Sequence, residues 1–164
     1  MNRSDLKRVK DFLDYINSLV EEEAMISLKK KKTLKEEKEW LKNQLKEIKS
    51  KQRVVILAED RNKIVGICEC KLKKERESHV GELTVGVRKE YRGIGLGKFL
   101  FREILKLAKR KLKVKIFRLS VFEGNEIAKN LYKKFGFKEV AKIPKQIEYK
   151  RKLISEIVMI KEAK

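Results

Sequence analysis

The chain has 164 residues, with 44 Lys and Arg against 24 Asp and Glu, which gives a formal charge of +20 at pH 7. This length predicts one domain with one core and excludes two ordinary domains. No window reaches the roughly 18 uninterrupted apolar residues of a membrane span, and Met1 to Lys10 is too polar for a signal peptide. We therefore expect a soluble, cytoplasmic protein with no membrane partner.

Charged residues make up 41% of the chain, well above the usual quarter or so. A basic surface fits a nucleic acid, an anionic membrane or an acidic ligand. A chain rich in Lys, Glu and Ile is also typical of proteins from hot environments. We favour a generally basic surface over a dedicated nucleic-acid site.

Two helices are predicted before the first strand. A helical stripe of apolar residues runs from Ser4, a candidate N-cap, to about Glu23. Thr33 and Glu36 have the spacing of a capping box, and the stripe that follows continues to Ile48.

From Arg53, the spacing of apolar residues changes from that of helices to that of strands. Val54–Ala58 and Lys63–Cys68 flank turn residues and predict a hairpin, and His79–Val87 alternates as a third strand.

Cys68 and Cys70 lie two residues apart and so share a face. His79 is the only histidine, so these cysteines predict buried thiols in a reducing compartment rather than a metal site.

The second half alternates helices and strands. A helix from Leu96 to about Lys111 precedes a strand, and Asn125 opens a short helix that Gly136 ends. The three predicted strands of this half are Lys115–Val121, Phe137 to about Ile143, and Leu153–Ile160, with a charged connection that contains Pro144 before the last one. The fold class is α+β, or mixed α/β.

The stretch RGIGLG, Arg92 to Gly97, lies between the third strand and the next helix. The first amides of a helix lack intrahelical acceptors, and glycines let a phosphate approach them, so the stretch predicts a phosphate or pyrophosphate site. A Walker A loop is excluded because Phe99 stands where its hydroxyl residue is needed. The spacing is also wrong for a dinucleotide fingerprint. Tight packing of the glycines alone remains an alternative.

Two motifs resemble those of the GNAT superfamily of N-acetyltransferases. Arg92, Gly95 and Gly97 match the Arg/Gln-x-x-Gly-x-Gly/Ala core of its acetyl-CoA-binding motif. The run from Asn125 to Phe137 is similar to its Asn-x-x-Ala-x-x-Leu-Tyr-x-x-x-Gly-Phe motif. The resemblance covers about residues 53 to 160, and it implies a GNAT-like fold with a mostly antiparallel twisted sheet between helices.

The resemblance also implies roles for individual residues. The strand end at Val85 and Val87 would pair with the pantetheine arm of acetyl-CoA, and Asn125 would hydrogen-bond to the pantetheine region. Tyr132 would protonate the departing thiolate. The alternative is that Tyr132 is only a half-buried aromatic residue on an amphipathic helix. The pyrophosphate would be held by Arg92, Gly93, Gly95, Gly97 and Lys98.

The general base is open at this point. An amine attacks the thioester directly, so the enzyme needs to orient the reactants, stabilise an oxyanion and move two protons, without a metal. Glu82 on the third strand is our first candidate, unless it is a solvated surface carboxylate. A β-bulge, common in this strand of the family, would reverse the face that it occupies. Glu69, His79 and water are the other candidates.

The whole chain is predicted to be one acetyltransferase domain, with helices in residues 1–50 on the acceptor side and the acetyl-CoA-binding core in residues 53–160. The resemblance implies an acceptor that is a small amine or amino acid, with an acidic acceptor tolerated by the basic surface. Alternatives are an enzyme for protein N-termini or lysines, and a non-catalytic module that binds CoA or nucleic acid. An opening strand before the first helix is missing or very short, and the last strands could pair in a homodimer.

Overall fold

The structure, a computed structural model, describes residues 3–163. A short 3-10 helix at Arg3–Arg8 leads into α1, Val9–Glu21, so the predicted first helix begins in 3-10 form and ends two residues early. The predicted cap at Ser4 lies outside the described side chains. Helix α2, Leu34–Lys49, begins at the predicted capping box, in which Thr33 Oγ1 accepts from the Glu36 amide and the Glu36 carboxylate accepts from the Thr33 amide.

A six-stranded sheet has the order β1-β2-β3-β4-β6-β5. The neighbouring strands are antiparallel except for β3 and β4, which are parallel. The strands are β1 Arg53–Asp60, β2 Lys63–Leu72, β3 Val80–Val87, β4 Ile116–Phe122, β5 Lys138–Tyr149 and β6 Lys152–Glu162. No strand precedes α1 within residues 3–163, in line with the missing opening strand.

Helices cover both faces of the sheet. Helices α3, Leu96–Leu112, and α4, Glu126–Lys134, pack over one face. Its core includes Phe101, Ile104, Cys68 and Met159, which are fully buried. Helices α1 and α2 cover the β1–β2 side of the other face through a second apolar cluster, whose buried members are Val9, Phe12, Tyr15, Leu19, Leu41 and Ile64. The α+β class with a mostly antiparallel sheet is confirmed.

Both cysteines are buried in the core under α3, as predicted. Burial raises the pKa of the Cys70 thiol to about 12 and that of Cys68 well above its ordinary value. Thiols that resist ionisation are poor nucleophiles and poor metal ligands. Within residues 3–163, no group of three or more Cys, His, Asp or Glu side chains could hold a metal ion.

The prediction that the charged segment with Pro144 connects two strands is wrong. The segment belongs to β5, and the turn to β6 is Lys150–Arg151, where both residues have positive φ. Pro144 has no partner in the β5–β6 register, and β5 is an edge strand, so the missing amide of Pro144 costs no ladder hydrogen bond. An irregularity between Ile143 and Ile147 absorbs the extra residues. No described helix is long and apolar enough to span a membrane.

Candidate active site

Residues 92–98 form a turn and the first residues of α3, with open space beside Gly93 and Gly95. Gly93 and Gly95 have φ of 80° and 88°, a left-handed conformation that favours glycine. Gly95 is the N-cap of α3 and offers no side-chain cap, so the amides of Leu96, Gly97 and Lys98 lack intrahelical acceptors. A Cβ built on Gly93 or Gly95 would meet no atom within 4 Å. The turn therefore has the geometry of an anion-binding cradle.

Two cations flank this turn, and they differ in how they are bound. Lys98 is exposed, and its ammonium has no ion pair or hydrogen bond with any described residue. Arg92 is engaged, since its Nε donates to the Val87 carbonyl at 2.8 Å and its Nη2 donates to the Glu22 carboxylate. Lys98 is thus free to meet an anion, whereas Arg92 would have to share its guanidinium.

A gap opens between β3 and β4 beside this turn. The two strands pair only at Val80, Gly81 and Glu82, although β3 continues to Val87 and β4 to Phe122. Beyond Glu82, the edge of β3 that faces β4 has no strand partner within the described chain. The stretch from Leu83 to Val87 can therefore pair with an extended ligand in the gap, as an added strand would.

Glu82 lies where the paired strands separate. The register of β2 with β3 runs without a shift from Gly66↔Val87 to Leu72↔Gly81, so no bulge reverses its face. A Cβ on Gly86 would approach Tyr15 and Leu19 of α1, and Glu82 shares that face because strand residues alternate. Its carboxylate accepts from Arg118 Nη1 at 2.6 Å. The carboxylate thus faces the side of α1 and α2.

Tyr132 is a residue of α4 and lies on the opposite face of the sheet, packed against Phe101 of α3. The side chain is 7% exposed, and its ring lies 5.0 Å from Phe101 and 6.2 Å from Phe137, centroid to centroid. Burial raises the pKa of its phenol above the ordinary value. Its hydroxyl makes no hydrogen bond with any described residue. A buried, protonated phenol can donate a proton to a developing anion.

Asn125 is the N-cap of α4, where its Oδ1 accepts from the Ala128 amide at 3.2 Å. The amide nitrogen of its side chain makes no hydrogen bond with a described residue. Asn125 can therefore cap the helix and still donate to a ligand.

The other base candidates are held differently. Glu69 pairs with the buried Arg53 at 2.6 Å, and it accepts from Thr84 Oγ1 at 3.2 Å. His79 is exposed just before β3, at the end of the strand remote from residues 92–98. Its carbonyl accepts from the Lys115 amide at 2.9 Å. Neither residue is brought to the gap as Glu82 is.

Two segments meet over the open face beside the gap. We call them the acceptor wall: the segment 22–29 that follows α1, and the β5–β6 turn at residues 148–151. The Tyr149 hydroxyl donates to the Glu23 carbonyl at 2.7 Å, and the Tyr149 ring lies 5.9 Å from Phe122 of β4. Ion pairs Lys29–Glu148 at 2.9 Å and Lys150–Glu23 at 3.0 Å add to this closure.

Sequence reasoning missed three residues of this region. Glu22 and Tyr149 lie in segments without a motif, and their partners Arg92 and Glu23 are far away in the sequence. Glu156 lies opposite Phe122 in the β4–β6 register, on the open face, and makes no ion pair with a described residue. The signal available for Glu156 was its place among apolar residues of a predicted strand, where a carboxylate is unusual.

Comparisons with known proteins agree with this architecture. The model of the acetyltransferase (GNAT) family matches residues 16–137. No curated protein sequence matches the chain.

Solved structures match nearly the whole chain. A GNAT-family acetyltransferase from Streptococcus pneumoniae is 25% identical with a TM-score of 0.84, covering 96% of this chain and 94% of its own. A ribosomal-protein-alanine N-acetyltransferase from Brucella melitensis is 24% identical with a TM-score of 0.84, covering 96% and 95%. The Salmonella typhimurium protein yncA, solved with acetyl-CoA, is 16% identical with a TM-score of 0.83, covering 98% and 91%.

Proposed function

This chain belongs to the GNAT family of acetyltransferases and is an N-acetyltransferase, and we propose that it moves the acetyl group of acetyl-CoA directly to a primary amine of a small molecule or amino acid. The observation that carries the proposal is the gap between β3 and β4, with the amides of residues 96–98 at its mouth. The whole chain acts as one domain in this proposal. Residues 1–50 lie on the acceptor side and residues 53–160 form the donor-binding core.

The residues at the gap fit acetyl-CoA. The open space at Gly93 and Gly95 leaves room for a pyrophosphate against the amides that follow, and Gly97, Lys98 and Arg92 complete that cradle. The backbone at Val85 and Val87 would pair with the pantetheine arm, and the side-chain amide of Asn125 would donate to it. Acetyl-CoA, when bound, supplies an acetyl group activated as a thioester.

The protein's side chains then handle two protons. Glu82 would take a proton from the acceptor's ammonium, directly or through water, so that the neutral amine attacks the thioester, and Tyr132 would give a proton to the departing thiolate sulfur. An amide near Val87 would donate to the oxyanion that forms as the amine adds to the carbonyl. Since Glu82 and Tyr132 lie on opposite faces, the gap lets base and acid approach one carbonyl from two sides.

The acceptor wall supports a small acceptor over a protein segment. A polypeptide that lies across the site needs an open groove between segment 22–29 and the β5–β6 turn, but Tyr149 and Glu23 are hydrogen-bonded across it. The two ion pairs at the wall are exposed and add little. The net charge of +20 favours acceptors that also carry a carboxylate, such as amino acids.

An acceptor panel tests this proposal. We would measure thiol release from acetyl-CoA with small amines, amino acids, and peptides with a free N-terminus or lysine, using the wild type and a Tyr132→Phe, Glu82→Gln double variant. We expect turnover with small amines or amino acids and little with peptides. Turnover with peptides alone would overturn the acceptor class, and full activity of the double variant would remove both residues from the mechanism.

A further inference from the structure

Arg92 joins two sides of the candidate site. Its Nε donates to the Val87 carbonyl, at the end of β3, at 2.8 Å. Its Nη2 donates to the carboxylate of Glu22, directly after α1. Only 16% of the Glu22 side chain is exposed, compared with 45% for Arg92. The guanidinium therefore links residues 92–98, which we call the donor turn, to the acceptor wall.

The contacts continue from Glu22 across the wall. The carbonyl of its neighbour Glu23 accepts from the Tyr149 hydroxyl at 2.7 Å, and Tyr149 meets Phe122 on the open face of β4. The amide of Ala24 donates back to the Leu19 carbonyl at 3.0 Å, so the wall begins as a folded extension of α1. A displacement at Glu22 would reach the face where an acceptor approaches.

The charges at Arg92 are in competition. A pyrophosphate in the cradle of residues 92–98 would attract the same guanidinium that Glu22 now binds. The guanidinium of Arg92 binds each of two anions less strongly than it would bind one alone. Lys98 has no such competitor among the described residues. Donor binding therefore carries a cost at Arg92 that it does not carry at Lys98.

We propose that Glu22 is a positioning residue that releases Arg92 when the donor binds, so that occupancy of the donor turn is transmitted to the acceptor wall. The inference rests on the proposed function, because it takes the donor's pyrophosphate as the competing anion. It assigns Glu22 a role in coupling the two sides of the site: its contact with Arg92 holds the start of the wall in the free enzyme, and the loss of that contact on donor binding loosens the backbone next to Glu22, while the Tyr149 hydroxyl stays hydrogen-bonded to the Glu23 carbonyl.

This role predicts that the loss of the Glu22 charge strengthens the binding of coenzyme A. Removing the Glu22 charge frees Arg92 for the pyrophosphate, so Glu22→Gln should bind coenzyme A more tightly than the wild type. A residue that merely supports the fold would weaken binding when it is replaced. Glu21→Gln is the matched control, since Glu21 pairs with Lys31 and not with the donor turn.

The test is calorimetric titration of coenzyme A into the wild type, Glu22→Gln and Glu21→Gln at low salt. We expect the dissociation constant of Glu22→Gln to fall about fivefold, the size of a partly exposed ion pair, and that of Glu21→Gln to match the wild type. Hydrogen exchange at the Ala24 amide should rise on addition of coenzyme A to the wild type and stay unchanged in Glu22→Gln.

Equal or weaker binding by Glu22→Gln overturns the inference, as does an Ala24 amide that coenzyme A does not affect in the wild type. A wild type that binds coenzyme A but fails these tests leaves the proposed function intact. A wild type that does not bind coenzyme A overturns the proposed function and this inference together.

Discussion

Tyr132 and Glu82, the proposed acid and base, lie on opposite faces of the sheet. Tyr132 is buried among Phe101 and Phe137, whereas Glu82 lies beside Arg118 on the opposite face. Burial raises the pKa of the Tyr132 phenol, so the phenol keeps its proton at neutral pH and can donate it.

Replacing Tyr132 with Phe should lower kcat about 100-fold, the usual size of a general acid's contribution, with little change in the dissociation constant of acetyl-CoA. The ring packing is retained in this variant, so the free energy of unfolding should change little. Single-turnover rates and calorimetric binding would check both expectations. Loss of binding, with kcat unchanged at saturation, would contradict the acid role.

The pH dependence of Tyr132 has a definite sign. An acid has to be protonated to act, and burial raises the pKa of this phenol above its ordinary value of 10.0. Activity that depends on Tyr132 should therefore persist through pH 9.5 or so and fall only above pH 10. A kcat that declines from about pH 8 in the wild type, but not in Tyr132→Phe, would contradict this assignment.

Glu82→Gln should lower kcat about 10- to 100-fold at pH 7, and the loss should shrink as pH rises, because the acceptor amine then loses its proton without help. Glu69→Gln is the control, since Glu69 is a carboxylate of the same face that also pairs with an arginine, Arg53, but lies on β2 and not at the gap. The pH–rate profiles of the two variants would distinguish them. Recovery at high pH in Glu69→Gln instead would move the base to Glu69.

Among the elements, α2 carries a buried acid with no catalytic assignment. Glu37 is 5% exposed, burial raises its pKa to about 7, and the charge of Lys32 opposes this rise. The folded protein binds this proton more tightly than the unfolded chain does, so stability falls as pH rises from about 4.5 to 7. Relative to a carboxyl group with the ordinary pKa of 4.5, the shift of Glu37 lowers the free energy of unfolding by about 3 kcal/mol at pH values above 7.

Glu37→Gln should therefore raise the free energy of unfolding at pH 8 by up to about 3 kcal/mol, and the gain should vanish near pH 4.5. Denaturant titrations at the two pH values would measure it. Glu39→Gln, on the exposed side of the same helix, should show no such trend. A gain that is equal at both pH values would show that the pKa of Glu37 is not raised in the folded protein.

Most elements could be predicted from local signals. Thr33 with Glu36 marked the start of α2, and Asn125 with Gly136 bounded α4, because capping depends on residues close in the chain. Pro144 misled the prediction of β5, since only the sheet order reveals that β5 is an edge strand where a proline is tolerated.

The candidate site was predictable only in part. The donor turn at Arg92–Lys98 has a local pattern, and its open backbone agrees with the prediction of an anion site. Contacts such as Tyr149 with Glu23, 126 residues apart, depend on how the hairpin packs and leave no local trace. The assignments of Tyr132, Glu82 and Asn125 stay predictions that the kinetic experiments test.

At the scale of the whole molecule, two layers of helices enclose a sheet that is split at one point. Helices α3 and α4 pack on one face, α1 and α2 pack on the other, and β3 separates from β4 beyond Glu82. A homodimer that pairs through the last strands and a cytoplasmic location stay predictions. The central claim is that the donor binds at residues 92–98.

The most direct test is calorimetric binding of acetyl-CoA to the wild type, Gly95→Asp and Gly136→Asp. Both glycines have left-handed φ, 88° and 84°, so the two variants share the backbone strain, but Gly136 follows α4 and lies outside the donor turn. We predict that the wild type and Gly136→Asp bind alike, whereas Gly95→Asp binds at least 10-fold more weakly because a side chain and a negative charge enter the cradle. Equal binding by all three proteins would contradict the account.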